Sequence, residues 1–147
     1  MIRYEKMEQS HVPQIAALET VCFSDPWSEN SIAGELDNRL SLWLVALDGE
    51  KVVGYVGSQT VLGETDMMNI AIDPDYRRQG IARQLIEKLI EVLKGRGSHS
   101  LMLEVRAGNA PAIALYESMG FTVAGKRPNY YRNPKEDAWI LRKEWQI

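Results

Sequence analysis

The sequence predicts an α/β (α+β) fold, a mixed but mostly antiparallel seven-stranded sheet with helices on both faces. Three observations carry this expectation. Two β-rich runs, LSLWLVAL and KVVGYVGSQTVL, flank Asp48-Gly49, a strong short-range hairpin signal, and TDMMNIAID follows through a turn at Gly63 to complete a meander. From Gly80 to Lys94 the apolar period changes to 3.6, with Ala82, Leu85, Ile86, Leu89 and Leu93 on one face. The strand-like SLMLEVR then follows, so the helix forms a β-α-β crossover and the two strands it joins should be parallel.

The remaining elements fit around these. Ile2 to Met7 reads as a short strand, and Ser10 is expected to cap a helix carrying Ile15, Leu18 and Cys22. Asp25-Pro26 marks a turn, and Ser28 should cap a second helix ending near Asn38. Gly95 and Gly97 stop the long helix. GNAPAIALYESMGF reads as a further helix, with Asn109 as cap, Pro111 in the first turn and Gly120 at the end. Two last strands, Phe121 to Lys126 and Ala138 to Lys143, are separated by RPNYYRNPKED, read as a loop. The order β-α-α-β-β-β-α-β-α-β-β contains no repeat or linker, which predicts a single domain over residues 1–147.

Composition narrows the function classes. Of 147 residues, 45% are hydrophobic and 25% charged, as in a globular domain. A formal net charge of −3 argues against direct, sequence-independent nucleic-acid binding, which needs a basic face. One cysteine, Cys22, allows no intrachain disulfide and no thiolate zinc cluster, while His11 and His99 stand apart from each other and from any carboxylate cluster. No metal and no cysteine nucleophile are therefore expected. The segment MIRYEKMEQ has no apolar core and no run approaches the roughly 20 apolar residues of a membrane span, so a cytoplasmic protein without membrane association is expected.

The stretch DYRRQGIARQL stands where a strand ends and the long helix begins. Free N–H groups and the helix dipole stabilise phosphate there. Gly80 permits close approach, and Arg77, Arg78 and Arg83 add cationic donors, although the same residues could simply solvate a helix start. A Walker lysine is absent, which separates the segment from a nucleoside-triphosphate loop.

Arg77-x-x-Gly80-x-Ala82 matches the Q/R-x-x-G-x-G/A signature of GCN5-related N-acetyltransferases (GNAT), with alanine in place of the more frequent glycine. Together with FSDPWSE, MNIAIDPDYRRQGIARQLI, LEVRAGNAPAIALYESMGF and RPNYY, it makes the chain similar to the ribosomal-protein alanine acetyltransferases of the RimI type. The resemblance implies a GNAT fold and acetyl-CoA as cosubstrate. It places the cofactor on Ile70, Ala71, Ile72, Arg77, Arg78, Gln79, Gly80, Ile81, Ala82, Arg83 and Asn109. The implied acceptor is the N-terminal alanine of a small-subunit ribosomal protein, the eighteenth. Such a basic N-terminus suits an acidic enzyme.

Acetyl transfer requires a proton acceptor for the amine and a donor for the departing thiolate. In LMLEVR, Glu104 shares a strand face with Met102 and Arg106. The residues alone are compatible with a solvated face or a Glu104–Arg106 pair; the resemblance makes Glu104 the acceptor. Tyr116 reads as a packing residue on its helix, and the resemblance makes it the donor. By the same resemblance Trp27, Tyr130 and Tyr131 flank the acceptor groove. A chain-terminal amine, with a reference pKa near ~8 against ~10.4 for lysine, is the easier substrate for a carboxylate base. Other protein N-termini, lysines, a small polyamine, or a non-catalytic CoA-binding module remain the alternative readings.

Overall fold

The computed structural model describes residues 1–132 and 134–146. Strands β1 (Ile2–Lys6), β2 (Ser41–Asp48), β3 (Lys51–Val61), β4 (Glu64–Ile72), β5 (Ser100–Arg106), β6 (Thr122–Tyr131) and β7 (Glu136–Glu144) form one sheet in the order β1-β2-β3-β4-β5-β7-β6. All neighbours are antiparallel except β4 and β5. Helices α3 (Ile81–Gly95) and α4 (Ala110–Ser118) share one core with the back of the sheet, and α1 (Val12–Cys22) and α2 (Glu29–Glu35) share another with the front. The expected seven-stranded mixed sheet with helices on both faces is observed.

Local chemistry explains most boundaries. Helix α3 buries Ile81, Leu85, Ile86, Leu89, Ile90 and Leu93, a stripe worth on the order of 10 kcal/mol before chain entropy is charged against it. Ala82, expected on the buried face, is half-exposed, and Ile81 takes that core position instead. The Ser28 side chain accepts from Ser31 N–H at 3.1 Å and starts α2, as expected. Ser10 does not cap α1. It lies in a 3-10 turn, Gln9–His11, closed by Glu8 N–H donating to His11 Nδ1 at 3.0 Å. The imidazole closes that turn, and α1 itself starts after His11 without a side-chain cap, with Pro13 in its first turn.

The last hairpin departs further from expectation. Strand β6 runs on through RPNYY, so Tyr130 and Tyr131 lie at the end of a strand instead of in a free loop. Register is lost between Arg127↔Ala138 and Tyr131↔Glu136, leaving Pro128, Asn129 and Tyr130 opposite Asp137. Proline cannot donate to the ladder, and Asn129, at φ 53°, instead donates its N–H to Asp137 Oδ1 at 2.8 Å. Asn133, in the same segment, lies outside the described residues.

The front core contains an aromatic stack. Trp43 lies parallel to Tyr55, ring centres 6.0 Å apart, and Trp27 meets Trp43 edge-on at 5.4 Å. Gly57, opposite Trp43 in the β2–β3 ladder, leaves room for the indole, because a Cβ there would overlap its ring. Gly34, inside α2, has open space instead. Gly57→Ala is therefore expected to cost about 1–3 kcal/mol by overpacking, and Gly34→Ala to add roughly 0.5–1 kcal/mol by stiffening the helix. Thermal unfolding of the two variants should move the midpoint in opposite directions.

Candidate active site

The parallel pairing of β4 with β5 lasts three residues, Glu64↔Ser100, Thr65↔Leu101 and Asp66↔Met102, and then ends. Beyond Asp66 the two strands diverge while β4 stays paired to β3 through Ile72 and β5 stays paired to β7 through Arg106. A wedge opens between them. Asp73 N–H donates to Val53 O at 2.8 Å, so by alternation Asn69 and Ala71 turn their peptide groups to β3, while Ile70 and Ile72 turn theirs into the wedge. Of the three strand residues expected to hold the cofactor, two present their main chain to the gap. Ala71 instead packs its methyl in the front core.

At the open end of the wedge stands the start of α3. Gly80, at φ 78°, adopts a left-handed conformation that favours glycine, and no atom lies within 4 Å of where its Cβ would be. The first helical bond runs from Gln84 N–H to Gly80 O, no side chain caps the helix, and no acidic residue stands in its first turn. The N–H groups of Gly80, Ile81, Ala82 and Arg83 thus have no helical acceptor. Arg78 is also left-handed, at φ 63°, a strained conformation for a residue with a Cβ. The arginines divide: Arg83 donates to Ser118 Oγ at 2.6 Å, Arg77 lies 3.8 Å from Cys22 Sγ, and Arg78 projects with no side-chain partner among the described residues. Asn109 caps α4, accepting from Ala112 N–H at 3.3 Å, as expected.

The front of the wedge is carboxylate-rich. Leu101, Leu103 and Val105 enter the back core, which turns Glu104 to the front. Its Oε2 is buried with no hydrogen-bond partner among the described residues, and its Oε1 lies 3.8 Å from Arg127 Nη2. The Glu104–Arg106 pair does not form. Arg106 instead bonds Glu136 Oε1 (3.4 Å), Pro134 O (2.8 Å) and Arg132 O (3.0 Å) and lies over the Tyr131 ring at 4.5 Å. Glu136 completes the strap by accepting from Gly108 N–H at 2.6 Å.

Tyr130 and Tyr131 meet edge-on at 5.1 Å beside Glu104. Hydrogen bonding toward Glu104, followed by burial, raises the Tyr130 phenol, whereas burial and then the Glu104 charge push Tyr131 up to about 12. Tyr116, on α4, is 6% exposed, meets Phe121 edge-on at 5.7 Å, and is pushed to about 12 by burial and by Tyr131. Its hydroxyl has no hydrogen-bond partner among the described residues. Glu104, Tyr130, Tyr131 and Tyr116 are thus electrostatically linked. Trp27 is not part of that group, because its ring is spent on Trp43.

Sequence reasoning missed two front-face residues. A one-residue bulge at Met68, between the pairs Ser58↔Met67 and Gly57↔Asn69, resets the alternation of β4 so that both Asp66 and Asn69 face front. Burial, then the charges of Glu104 and Glu64, raise the Asp66 carboxyl. Only the doubled Met67-Met68 hinted at an irregular strand.

A splayed parallel pair leading to an uncapped, left-handed glycine helix start offers an extended, phosphate-bearing ligand a free strand edge and an anion site at one end of it. The acetyltransferase (GNAT) family model matches residues 11–121, and the chain belongs to that family. It is 43% identical over 137 residues to the Escherichia coli (strain K12) [ribosomal protein bS18]-alanine N-acetyltransferase, covering 92% of each chain. A putative enzyme of the same name from Bacillus subtilis is 34% identical, with 92% of this chain and 90% of that one covered. The crystal structure of the E. coli ribosomal-protein-S18-alanine N-acetyltransferase superposes with a TM-score of 0.92 at 40% identity, over 100% of this chain and 96% of that one. Arabidopsis thaliana NAA60, solved in complex with acetyl-CoA, shares the fold at 18% identity, with a TM-score of 0.89 and 98% of each chain covered. The chain is an N-acetyltransferase.

Gly80→Ala meets no atom, so its cost is the left-handed backbone and a methyl standing before the free N–H groups. Acetyl-CoA affinity by calorimetry should fall about tenfold, with a loss of roughly 1 kcal/mol in unfolding stability.

Proposed function

We propose that this protein acetylates the N-terminal alanine of ribosomal protein bS18, using acetyl-CoA in a ternary complex. The observation that carries the reading is the 43% identity over 92% of both chains to an enzyme of that name. The geometry of the wedge supports it.

Acetyl-CoA, when bound, supplies an acyl carbon with a thiolate leaving group. The free N–H groups at the start of α3 and Arg78 hold its pyrophosphate, and the peptide groups of Ile70 and Ile72 pair with its amide-bearing arm as with another strand. Asn109 lies at the mouth of β5 on the same side. The acceptor enters from the front, where Asp66 and Glu104 favour a cation. Glu104, with a carboxylate oxygen lacking any donor, takes the proton as the amine nitrogen forms its bond to the acyl carbon and the carbon–sulfur bond breaks. Tyr116 donates to the departing sulfur. A phenol at about 12 holds its proton more tightly than a thiol near ~8.5, so the favourable contribution is a hydrogen bond to the developing thiolate. The amine, entering as an ammonium, first releases one proton to solvent; Glu104 takes the second, and the departing thiolate is protonated from solvent, so the products are an acetylated N-terminus and the free thiol of CoA. Trp27 shapes the acceptor groove as a buttress of its wall, and Tyr130 and Tyr131 line the opposite wall.

The test is thiol release with an alanine-initiated basic peptide, compared with peptides bearing lysine as the only amine and with polyamines. Preferential use of lysine or polyamine overturns the reading, and binding of acetyl-CoA without thiol release from any amine favours a binding module. Glu104→Gln should lower kcat about 100-fold with acetyl-CoA affinity within about twofold, and Tyr116→Phe should lower kcat about tenfold.

The pH dependence follows from the raised phenol. A folded-state value above the unfolded one means that the proton is bound more tightly in the native protein, so the stabilisation is present below the unfolded value near ~10 and is lost as pH rises toward the folded one. Wild-type turnover should therefore show no alkaline loss from this phenol below about pH 11, read from a kcat profile compared with Tyr116→Phe.

A further inference from the structure

Glu19, in the middle of α1, is fully buried and is used by none of the chemistry above. Its carboxylate accepts three hydrogen bonds. Oε1 takes the main-chain N–H of Trp27 at 2.8 Å; Oε2 takes the Tyr55 hydroxyl and the Asn69 side-chain amide. Asn69 in turn uses its Oδ1 to accept from Ile70 N–H at 3.2 Å, which fixes which way its amide points. A single buried carboxylate thus connects the irregular segment carrying Trp27 to the strand residue whose peptide group faces the wedge.

We propose that Glu19 is a positioning residue that holds the acceptor-side segment around Trp27 in register with the donor-side strand at Ile70. The inference deepens the acetyl-transfer reading and rests on it. Trp27 lies between two helices, where its N–H has no ladder to join, and a buried N–H without an acceptor is costly. All three groups that reach Glu19 are donors, so the site calls for an acceptor-only side chain, an ionised carboxylate. Burial pushes the Glu19 carboxyl upward, and the three donors pull it back in the order Tyr55, Trp27, Asn69.

The asymmetry of the two oxygens makes the idea testable. A glutamine at position 19 has one acceptor and one donor end. If its oxygen serves Tyr55 and Asn69, its NH₂ faces the Trp27 N–H and that arm is lost. If its oxygen serves Trp27, its NH₂ faces Asn69, which can accept only by flipping and turning its own NH₂ toward the Ile70 N–H. Either way one arm of the link breaks while the side-chain volume stays. Tyr55→Phe, by contrast, removes a donor and leaves both arms intact.

The experiment measures the thermal midpoint, acetyl-CoA Kd by calorimetry, and kcat and peptide KM with an alanine-initiated basic peptide, for wild type, Glu19→Gln, Tyr55→Phe and Asn69→Ala. Glu19→Gln is expected to raise peptide KM or acetyl-CoA Kd about tenfold. Tyr55→Phe should lower the midpoint but leave both constants within about twofold. Asn69→Ala, which cuts only the Ile70 arm, should weaken acetyl-CoA about fivefold with peptide KM at saturating cofactor unchanged, and it decides the matter should Glu19→Gln fail to fold. The proposal is overturned if Glu19→Gln leaves both constants within about twofold, if Tyr55→Phe shifts them as much as Glu19→Gln, or if Asn69→Ala leaves acetyl-CoA binding unaltered. A wild-type protein that binds acetyl-CoA but does not acetylate the peptide would overturn the acceptor reading instead.

Discussion

Three residue pairs join the two halves of this sheet, and everything at the site depends on the pairing stopping there. β5 is paired along its whole length to β7, and β4 to β3 with one bulge, so each half is a rigid unit, and only Glu64–Asp66 against Ser100–Met102 connects them. Past that seam the inner edges of β4 and β5 carry main-chain donors and acceptors with no strand to meet. Such groups must find water or a ligand. A ligand with peptide-like amides replaces the missing ladder directly, which is why a parallel pair, held by a helical crossover instead of a tight turn, is a natural place to bind one.

Each half secures its own rim. On the β4 side the three-donor carboxylate of Glu19 and the Trp27–Trp43–Tyr55 stack fix the segment between α1 and α2. On the β5 side Arg106 collects two carbonyls and the Glu136 carboxylate, and covers the Tyr131 ring. The two devices differ in kind. Glu19 is fully buried and takes only donors, so removing its charge breaks a definite bond; Arg106 is about a third exposed and works through several carbonyls, so water softens each of its contacts. The β4 rim should accordingly be the stiffer of the two, and the adaptable contacts to the acceptor belong to the tyrosine hairpin.

What the sequence made legible follows from the range of the interactions involved. The stripe of α3, the meander, the crossover and the caps at Ser28 and Asn109 are set within a few residues, and each was readable. The position of Glu104 on a front strand face was readable from alternation alone, although its role came from resemblance. The bulge at Met68 was not readable, since it is defined only against β3, and with it went Asp66 and Asn69. Ser10 looked like a cap, but a 3-10 turn over Gln9–His11, closed by the His11 imidazole on Glu8 N–H, sets the start of α1 one residue later. Arg106 seemed to be the partner of Glu104 two residues earlier; in a strand both share a face, but Glu136 from the neighbouring strand offers one carboxylate oxygen at 3.4 Å together with two carbonyls. Trp27 could be assigned to the acceptor groove by resemblance but not placed in its stack, because Trp43 and Tyr55 come from β2 and β3.

The formal charge of −3 conceals an opposition that matters more than its sum. At one end of the wedge stand uncapped N–H groups and Arg78, with no acidic residue in the first helical turn; on the front stand Glu104, Asp66 and Glu64, and burial followed by the charges of Glu104 and Glu64 raises the Asp66 carboxyl. An anionic carrier and a cationic N-terminus are therefore drawn to different sides of the wedge. Once the amine has given up its charge, the attraction that brought it in is lost. The same carboxylates that favour the ammonium at entry thus hold the neutral, acetylated product less well, and the electrostatics that select the substrate also favour its release.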